Sequence, residues 1–451
     1  STCMIWEKKL RKQEYIIEKI AKFASSQDLD TIPKKTKKFL RLLILDWISV
    51  TLAGKNESVF KIISELEKNN GGKKESLILG LSDRLPAKSA ATVNAVAGHA
   101  LDYDDTHFGS LGHTTSVVIS AALAASDKEK CSATLFREGV LVGIETAIRI
   151  GIWLGRKHYH KGFHITATAG IFGSTVAVAR ILGLSKKKII HAIGIASSSS
   201  SGIKAHFGSM AKPLQVGFAS SRGLEAAYLA QKGIKSNNQI FDDKNSYGMV
   251  YSANFIDKAF SNLGYVFNID DLKFKFHACC HGTHSAIEAL IYLRDKYKIK
   301  AKSICNIKIF INPQYLNICN IQHPKNGLQI KFSYKMLASL TMHKFNTASL
   351  NTFSKDNCKK KKLVKIAEKV EIIPNEKISE TGTKVLIITN NSKPLSKSYD
   401  LLDKISLSSL NKKLFMKTYS LLGKQNSKKL WFDKSFNTTL PSVWIEKNIK
   451  F

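Results

Sequence analysis

Acidic and imidazole side chains crowd together between Gly98 and His113, where the chain reads GHALDYDDTHFGSLGH. Asp102, Asp104 and Asp105 fall within four residues, in a protein whose formal net charge is +34. Carboxylates this close repel one another, so a metal ion, a bound cation, a helix N-terminus or a proton-transfer task must compensate for the repulsion.

The start of this segment is predicted to be helical, and its periodicity selects one carboxylate. In a continuous helix His99, Asp102 and Thr106 share a face, whereas Asp104 and Asp105 cap or close the turn that follows. A metal site built on the aspartates remains an alternative, although an EF-hand is excluded because the required glycine and glutamate do not follow. Asp102 is therefore the carboxylate expected to take part in chemistry.

Three histidines precede a helix rich in Thr, Ala and Gly in the stretch HYHKGFHITATAG. His158 and His160 are interpreted as exposed loop residues. His164 adjoins the N-terminus of a helix that is predicted to be buried, where the helix dipole favours the neutral imidazole. His164 is therefore a candidate proton acceptor or hydrogen-bond donor.

Lys212 lies at or just before the start of another helix that is predicted to be buried, in the stretch AKPLQVG. A cation at this end opposes the helix dipole, so local stability does not explain its presence. Beside the free N–H groups of the first turn it could bind a substrate carboxylate. The alternative is an exposed lysine among the sixty of the chain.

The stretch FKFHACCHGTH combines cysteine and histidine. Cys280 and His284 are spaced i, i+4, and His281 and His284 are spaced i, i+3, which permits a zinc site. The absence of a second ligand pair at the spacing of a zinc finger argues against such a site. The segment lies where two predicted domains join, and ligand sites often form at such places.

The elements that position these residues predict a mainly α fold with an inserted α+β domain. Helical periodicity predicts a helical domain over 1–267, with several Ala/Gly/Ser-rich helices. Alternating strands such as SICNIKIFI and KVLIIT predict a smaller α+β domain over 268–402, and helical periodicity returns over 403–451.

Composition restricts the class of protein. A chain of 451 residues with 44% hydrophobic content predicts a folded protein of two domains. No apolar run is long enough to span a bilayer, and the N-terminus lacks the apolar region of a secretion signal. Seven cysteines without regular spacing indicate reduced thiols, so we expect a cytoplasmic protein.

The positive charge predicts small anionic partners rather than nucleic acid. The basic residues are sixty lysines and nine arginines, and the lysines are spread along the chain. Proteins that read phosphates and bases specifically favour arginine with interleaved aromatic residues, and that pattern is absent. We therefore expect no specific nucleic-acid partner and no membrane partner.

Four segments in this order resemble the MmgE/PrpD family: GHALDYDDTH, GFHITATAGIFGS, AKPLQVGFASSRGLEAAYLAQKG and ACCHGTHSAIEAL. That family includes 2-methylcitrate dehydratase, cis-aconitate decarboxylase and iminodisuccinate epimerase. The resemblance runs from about residue 14 into the 390s. It implies a large helical domain built from both chain ends with a smaller α+β lid domain, a homodimer, and no metal or organic cofactor.

The resemblance also implies the site residues. The catalytic set would be His113, His164, Asp102 and Lys212, and the substrate-binding set would be Thr106, Lys275 and Cys280. In the decarboxylase branch a histidine stands where this chain has Cys280, which argues against cis-aconitate decarboxylase itself.

The chemistry implied is removal of a proton or carboxylate from the carbon next to a carboxylate, through an intermediate with enolate character. Lys212 and Lys275 would hold the substrate carboxylates, and His113 and His164 would serve as acid and base. The leading expectation is a lyase that dehydrates a 2-methylcitrate-like di- or tricarboxylate. An epimerase acting on a dicarboxylate such as iminodisuccinate, and an inactive family member with a binding role, are the alternatives.

Overall fold

The computed structural model describes residues 14–242, 245–390 and 392–450. Most of the N-terminal stretch from which the absence of a secretion signal is argued lies outside these residues. The helices of the described part are α1 (Ile16–Ser26), α2 (Lys34–Gly54), α3 (Ser58–Asn70), α4 (Ala87–Ala100), α5 (Thr114–Glu129), α6 (Ala133–Lys161), α7 (Ile165–Ile181), α8 (Lys186–Ser197), α9 (Ala211–Gln231), α10 (Tyr247–Val250), α11 (His284–Lys296), α12 (Gly327–Ile330), α13 (Tyr334–Met342), α14 (Lys355–Lys359), α15 (Lys361–Ala367), α16 (Leu407–Phe432) and α17 (Pro441–Asn448). The strands are β1 (Ser76–Ile78), β2 (Asp83–Leu85), β3 (Ile304–Ile311), β4 (Val370–Pro374), β5 (Gly382–Thr389) and β6 (Leu395–Asp400).

The predicted fold class is confirmed: the chain is mainly α with a small α+β part. Two compact units divide it. The helical unit comprises Ser1–Ala100, Asp104–Leu272 and Lys429–Phe451, of which the structure describes the residues given above. The mixed unit comprises Leu101–Tyr103 and Lys273–Lys428. No helix in the described ranges is both long and apolar enough to cross a membrane.

Helix α7 forms the centre of the helical unit. It packs against α5, α6 and α9, and every residue of it except Arg180 is buried. Its Ala, Gly, Ser and Thr residues make this possible, because small side chains let neighbouring helices approach closely. A Cβ atom added at Gly173 would lie 2.5 Å from the carbonyl oxygen of Gly143 in α6, so only glycine fits at this crossing.

The mixed unit is built on a four-stranded sheet in the order β4–β3–β5–β6. Strand β3 is parallel to β4 and antiparallel to β5, and β5 and β6 are antiparallel neighbours. Ile307, Ile309 and Ile311 alternate into the core, as their spacing predicts. Helices α11 and α13 cover this face of the sheet.

The unit boundaries in the structure follow Leu272 and Lys428, whereas the sequence places domain boundaries after residues 267 and 402. Helix α16 explains the second difference, because it runs on through the boundary. Its backbone leaves helical geometry at Gly423 (φ 77°), a few residues before the helix enters the helical unit.

Candidate active site

A paired histidine and aspartate lie at the C-terminal end of α4. Nδ1 of the buried His99 is 2.8 Å from Oδ2 of Asp104. An ionised carboxylate only accepts hydrogen bonds, so Nδ1 carries the proton. Nε2 of His99 is also buried and has no hydrogen-bond partner among the described residues. The centroid of this ring is 5.2 Å from that of His113 and 6.3 Å from that of His164, so three imidazoles gather in the helical unit.

His113 occupies the N-cap position of α5. Its backbone N–H donates to Oγ1 of Thr166, at 3.0 Å. Its Nδ1 is 3.0 Å from the carbonyl oxygen of Asp105 and 3.2 Å from Oγ1 of Thr106. Because a carbonyl oxygen only accepts, the neutral ring is protonated on Nδ1 and unprotonated on Nε2. Nε2 is therefore the nitrogen of His113 that can accept a proton.

His164 occupies the N-cap position of α7 and has the complementary tautomer. The side-chain oxygen of Gln215 accepts the N–H of Ile203, which directs the Gln215 amide nitrogen toward Nδ1 of His164, 3.4 Å away. Since the amide nitrogen is a donor, Nδ1 accepts and the proton of the neutral ring lies on Nε2. This tautomer can donate a proton or a hydrogen bond.

Lys212 lies in the first turn of α9, where the sequence places it. Its Nζ is 4.9 Å from the centroid of the Phe207 ring, and that ring meets His164 edge to face at 5.1 Å. The first contact is of the cation–π type. Lys212 and His164 therefore contact the same aromatic ring.

The imidazole cluster also contains the donors that a divalent metal requires. His99, Asp104 and His113 offer ligand atoms that lie within 4.8 Å of one another. In the described structure the Asp104 oxygens and Nδ1 of His99 are occupied by their mutual hydrogen bonds. Nε2 of His99 has no such partner among the described residues, and metal independence stays a prediction from the resemblance.

Asp105 and His107 shape the turn before α5. Oδ1 of Asp105 accepts from the hydroxyl of Thr115, and Nδ1 of His107 accepts the backbone N–H of Ser110. Asp104 is expected from the sequence to cap or close this turn as well, and the structure places its carboxylate against the His99 ring.

The predicted helical face that joins His99, Asp102 and Thr106 is also wrong. Helix α4 ends at Ala100, and Asp102 has a left-handed backbone (φ 50°), so the residues after Ala100 leave the helix axis. Asp102 belongs to the mixed unit, where Nζ of the buried Lys275 is 2.6 Å from its carbonyl oxygen and 3.5 Å from Oδ2. Two of the predicted site residues are thus in contact with each other.

A buried charge network in the mixed unit was not anticipated from the sequence. Nδ1 of His277 is 2.6 Å from Oγ1 of Thr347, and its Nε2 is 3.0 Å from Glu288. Lys413 donates to the other oxygen of Glu288 at 2.7 Å. Burial alone would raise the pKa of Glu288, but the hydrogen bond from His277 and the charges of His277 and Lys413 lower it to about 2.

The cysteine and histidine residues of the segment ACCHGTH do not converge as a zinc site would require. Nε2 of His284 is 3.1 Å from the carbonyl oxygen of Cys279, and burial lowers the pKa of that imidazole well below its usual value. Within the described ranges, three or more potential metal-ligating side chains come together at the His99 cluster and not here. Cys280 instead contacts Cys319, with 3.4 Å between the two sulfur atoms.

His158 is a core residue, and the interpretation of it as an exposed loop residue is wrong. It lies in the last turns of α6 with no exposed surface. Its ring stacks on Phe163, and its nitrogens contact Oγ1 of Thr168 and the carbonyl oxygen of Tyr251. His160 is in the same helix and is exposed.

The helical unit therefore brings together Thr106, His113, His164 and Lys212 of the predicted set, and the mixed unit holds Asp102, Lys275 and Cys280. Sequence reasoning missed the pairing of His99 with Asp104 and the amide of Gln215. Residues five positions apart do not share a face of a helix. His99 and Asp104 meet only because α4 ends at Ala100, between the two residues. Gln215 offered a weak signal, since it follows Lys212 by three residues on a helix.

Comparison with known proteins supports the resemblance over most of the chain. Residues 18–258 match the family model described as the MmgE/PrpD N-terminal domain, and residues 277–399 match the MmgE/PrpD C-terminal domain. The chain is similar to cis-aconitate decarboxylase of Homo sapiens, with 28% identity over 329 residues that cover 68% of each chain. It is similar to cis-aconitate decarboxylase of Aspergillus terreus, with 24% identity over 398 residues, 81% of this chain and 80% of the relative. A cis-aconitate decarboxylase-like protein, oryM of Aspergillus oryzae, is 30% identical over 292 residues, 59% of each chain.

Proposed function

Because the chain belongs to the MmgE/PrpD family, we propose that it is a lyase that acts on a small di- or tricarboxylate and moves a proton at the carbon next to a carboxylate. The lyases named among its relatives support this class of reaction. The homodimer, the absence of a cofactor and the cytoplasmic location implied by the sequence stay predictions.

The observation that carries the proposal is the pair of opposite tautomers in one imidazole cluster. Nε2 of His113 is the unprotonated nitrogen of its ring, because Nδ1 donates to the carbonyl of Asp105. Nε2 of His164 carries the proton of its ring, because Nδ1 accepts from Gln215. A base and an acid prepared in this way suit the removal of one proton and the delivery of another.

We assign the base role to His113 and the acid role to His164. His113 takes the proton next to the substrate carboxylate, and His164 protonates the leaving hydroxyl group, which departs as water. Lys212 binds a substrate carboxylate and offsets the negative charge that develops in the enolate-like intermediate. Asp102, Thr106, Lys275 and Cys280 are proposed to take part as well, in the roles that the resemblance implies.

Dehydration of a 2-methylcitrate-like hydroxy acid is the specific reaction we favour. Decarboxylation of a cis-aconitate-like acid is the second candidate, because the relatives described above are named for it. In that reaction carbon dioxide leaves first and an acid protonates the resulting carbanion. The resemblance expects a histidine at position 280 in decarboxylases. Because this chain has a cysteine there, we favour dehydration.

Proton NMR in D2O with the purified protein tests the proposal. The acids to compare are 2-methylcitrate, citrate, cis-aconitate, malate and an aspartate-derived acid such as iminodisuccinate. Loss of a carbon-bound proton signal reports proton abstraction even before product appears. An alkene product identifies a dehydratase, release of carbon dioxide identifies a decarboxylase, and inversion without loss of a group identifies an epimerase.

His164→Gln and Lys212→Met should each lower turnover by about 100-fold or more. The matched controls are His160→Gln and Lys188→Met, which alter exposed side chains of helices in the same unit. Complete inactivity of folded protein toward every acid would contradict the proposal. Equal turnover in His164→Gln and in the unaltered chain would contradict the assigned acid.

A further inference from the structure

Cys280 and Cys319 of the mixed unit are in direct contact. The thiol of Cys319 donates to the sulfur of Cys280, with 3.4 Å between the two atoms. The two residues are 39 positions apart in the chain, so the fold and not local sequence brings them together. Neither the reaction proposed above nor the resemblance accounts for a second thiol beside Cys280.

The backbone fixes both cysteines. The N–H of Cys280 donates to the carbonyl of Lys331 at 3.1 Å, and its carbonyl accepts the N–H of Thr283 at 3.0 Å. The N–H of Cys319 donates to Tyr315, and its carbonyl accepts the N–H of Tyr334. Two thiols anchored on both sides in this way keep their separation without depending on a flexible loop.

The two thiols differ in access and in acidity. Cys319 is fully buried in the core of the mixed unit, whereas Cys280 is partly exposed at its edge. The hydrogen bond from Cys319 and the charge of Lys275 lower the pKa of Cys280 despite burial, and the same contact raises the pKa of Cys319. A partly exposed thiol with a second thiol donating to its sulfur is the arrangement of an attacking and a resolving cysteine.

The neighbouring Cys279 does not share these properties. Burial raises the pKa of its thiol to about 12, and its sulfur lies 3.2 Å from Oγ1 of Thr283. Two adjacent cysteines in the sequence therefore have different reactivities, and the structure selects Cys280.

From this geometry we propose that Cys280 is a peroxide-modification site and that Cys319 closes a disulfide onto it. The Cys280 thiolate attacks one oxygen of hydrogen peroxide, so an S–O bond forms, the O–O bond breaks and hydroxide leaves. The Cys319 sulfur then attacks the Cys280 sulfur, the S–S bond forms, the S–O bond breaks, and the departing hydroxide takes the Cys319 proton as water. Two thiols are oxidised and one peroxide is reduced to two waters.

Peptide mapping tests the proposal without any assay of catalysis. The reduced full-length protein is treated with equimolar hydrogen peroxide at neutral pH, alkylated, digested without reductant and analysed by mass spectrometry. We expect a linked Cys280–Cys319 peptide that is two hydrogens lighter than the reduced pair and is released by dithiothreitol. Cys280 recovered fully alkylated, while the exposed Cys305 is oxidised, would overturn the proposal.

Variants distinguish the cysteines. The link should persist in Cys279→Ala and Cys305→Ser and disappear in Cys280→Ala. In Cys319→Ala, a sulfenic-acid probe such as dimedone should label Cys280 about tenfold more than in the unaltered chain, because no second thiol consumes the sulfenic acid. A link that survives in Cys280→Ala, or unchanged labelling in Cys319→Ala, would refute the pairing. If a variant fails to fold, peptide mapping of the unaltered chain still tests whether Cys280 and Cys319 form a disulfide.

Discussion

The protonation state of His99 depends on one carboxylate. Asp104 accepts from Nδ1, so Nε2 is the unprotonated nitrogen of the neutral ring, and the centroid of this ring is 5.2 Å from that of His113. A carboxylate in this position also stabilises the imidazolium, should the ring gain a second proton. The pair therefore acts on the charge of the cluster in which His113 and His164 lie.

Asp104→Asn tests this dependence at the residue scale. We expect the turnover number to fall by about 100-fold, because an amide can donate to Nδ1 and so impose the wrong tautomer on His99. The measurement is the pH profile of kcat and of kcat/KM with the acid that the exchange experiment identifies. Asp83→Asn, which alters an ion pair on β2, is the control and should leave both profiles unchanged. An unaltered profile in Asp104→Asn would show that the pair is only structural.

His158 gives a second residue-scale prediction, on stability. Burial lowers its pKa in the folded protein to about 4, below the ordinary value of 6.5. The neutral ring is therefore fully favourable to folding above pH 6.5, and this contribution is lost as the pH falls from about 6.5 toward 4. The loss amounts to at most about 3 kcal/mol of unfolding free energy.

His158→Gln separates this contribution from other titrations, because glutamine has no proton to gain. Urea unfolding at pH 7.5 and pH 4.5 should show a smaller difference in unfolding free energy between the two pH values for the variant than for the unaltered chain. His160→Gln, in the same helix but exposed, should behave like the unaltered chain. Equal pH dependence in all three proteins would contradict the cause assigned here.

At the scale of elements, a buried ion pair attaches irregular chain to helix α6. Nε of Arg149 is 2.8 Å from Glu145, and its other nitrogens donate to the carbonyls of Ala259, Ser261 and Val266. Glu145 in turn accepts two backbone N–H groups at the start of the turn Asn268–Asp271. The segment from 259 to 269 has little regular structure of its own, so this pair supplies its attachment.

Arg149→Met should cost about 3–5 kcal/mol of unfolding free energy, because it leaves the buried Glu145 without its opposite charge and three carbonyl groups without their side-chain donor. Arg222→Met is the matched control, since it removes an exposed ion pair with Glu225 and should cost less than about 1 kcal/mol. Chemical denaturation of both variants at one pH makes the comparison. A similar small loss in both would contradict the structural role given to Arg149.

The presence of the helices could be predicted from the sequence, but the arrangement of the site residues depends on where those helices end. Small-residue periodicity predicts α7 and α9, and the N-cap position of His164 follows from them. The end of α4 at Ala100 was not predictable, because Asp102 is neither glycine nor asparagine and yet has a left-handed backbone. The pairing of His99 with Asp104 depends on that end. The error over His158 has a different cause, because α6 extends to Lys161 and so contains a residue that the sequence indicated as loop.

At the scale of the whole molecule, net charge is the property that the sequence gives most directly. A formal charge of +34 attracts anions over distances comparable to the screening length, about 10 Å at 0.1 M salt. Tertiary contacts could not be predicted in this way, because no spacing in the sequence relates Cys280 to Cys319 or Lys413 to Glu288. Such contacts depend on the route of the chain through the mixed unit.

We expect kcat/KM to fall several-fold between about 20 mM and 300 mM salt, and to fall more steeply for a tricarboxylate than for a dicarboxylate. Steady-state kinetics at constant pH with two acids of different charge measure this effect. Heparin should bind weakly and be displaced uniformly by salt, as expected for a nonspecific polyanion. A kcat/KM that does not respond to salt would indicate that the general charge has no part in substrate capture.

The short stretch Leu101–Tyr103 has a consequence for how this protein can be divided. It belongs to the mixed unit, although the rest of that unit begins only at Lys273. Within the unit, the Tyr103 hydroxyl donates to the carbonyls of Phe276 and Ala348, and Lys417 donates to the Tyr103 carbonyl. A gene fragment that encodes residues 273–428 would thus lack a buried tyrosine, including the carbonyl group to which Lys417 donates. Recombination therefore cannot exchange the mixed unit as one continuous gene segment. A chimaera that takes this unit from a relative must also take the residues that correspond to Leu101–Tyr103.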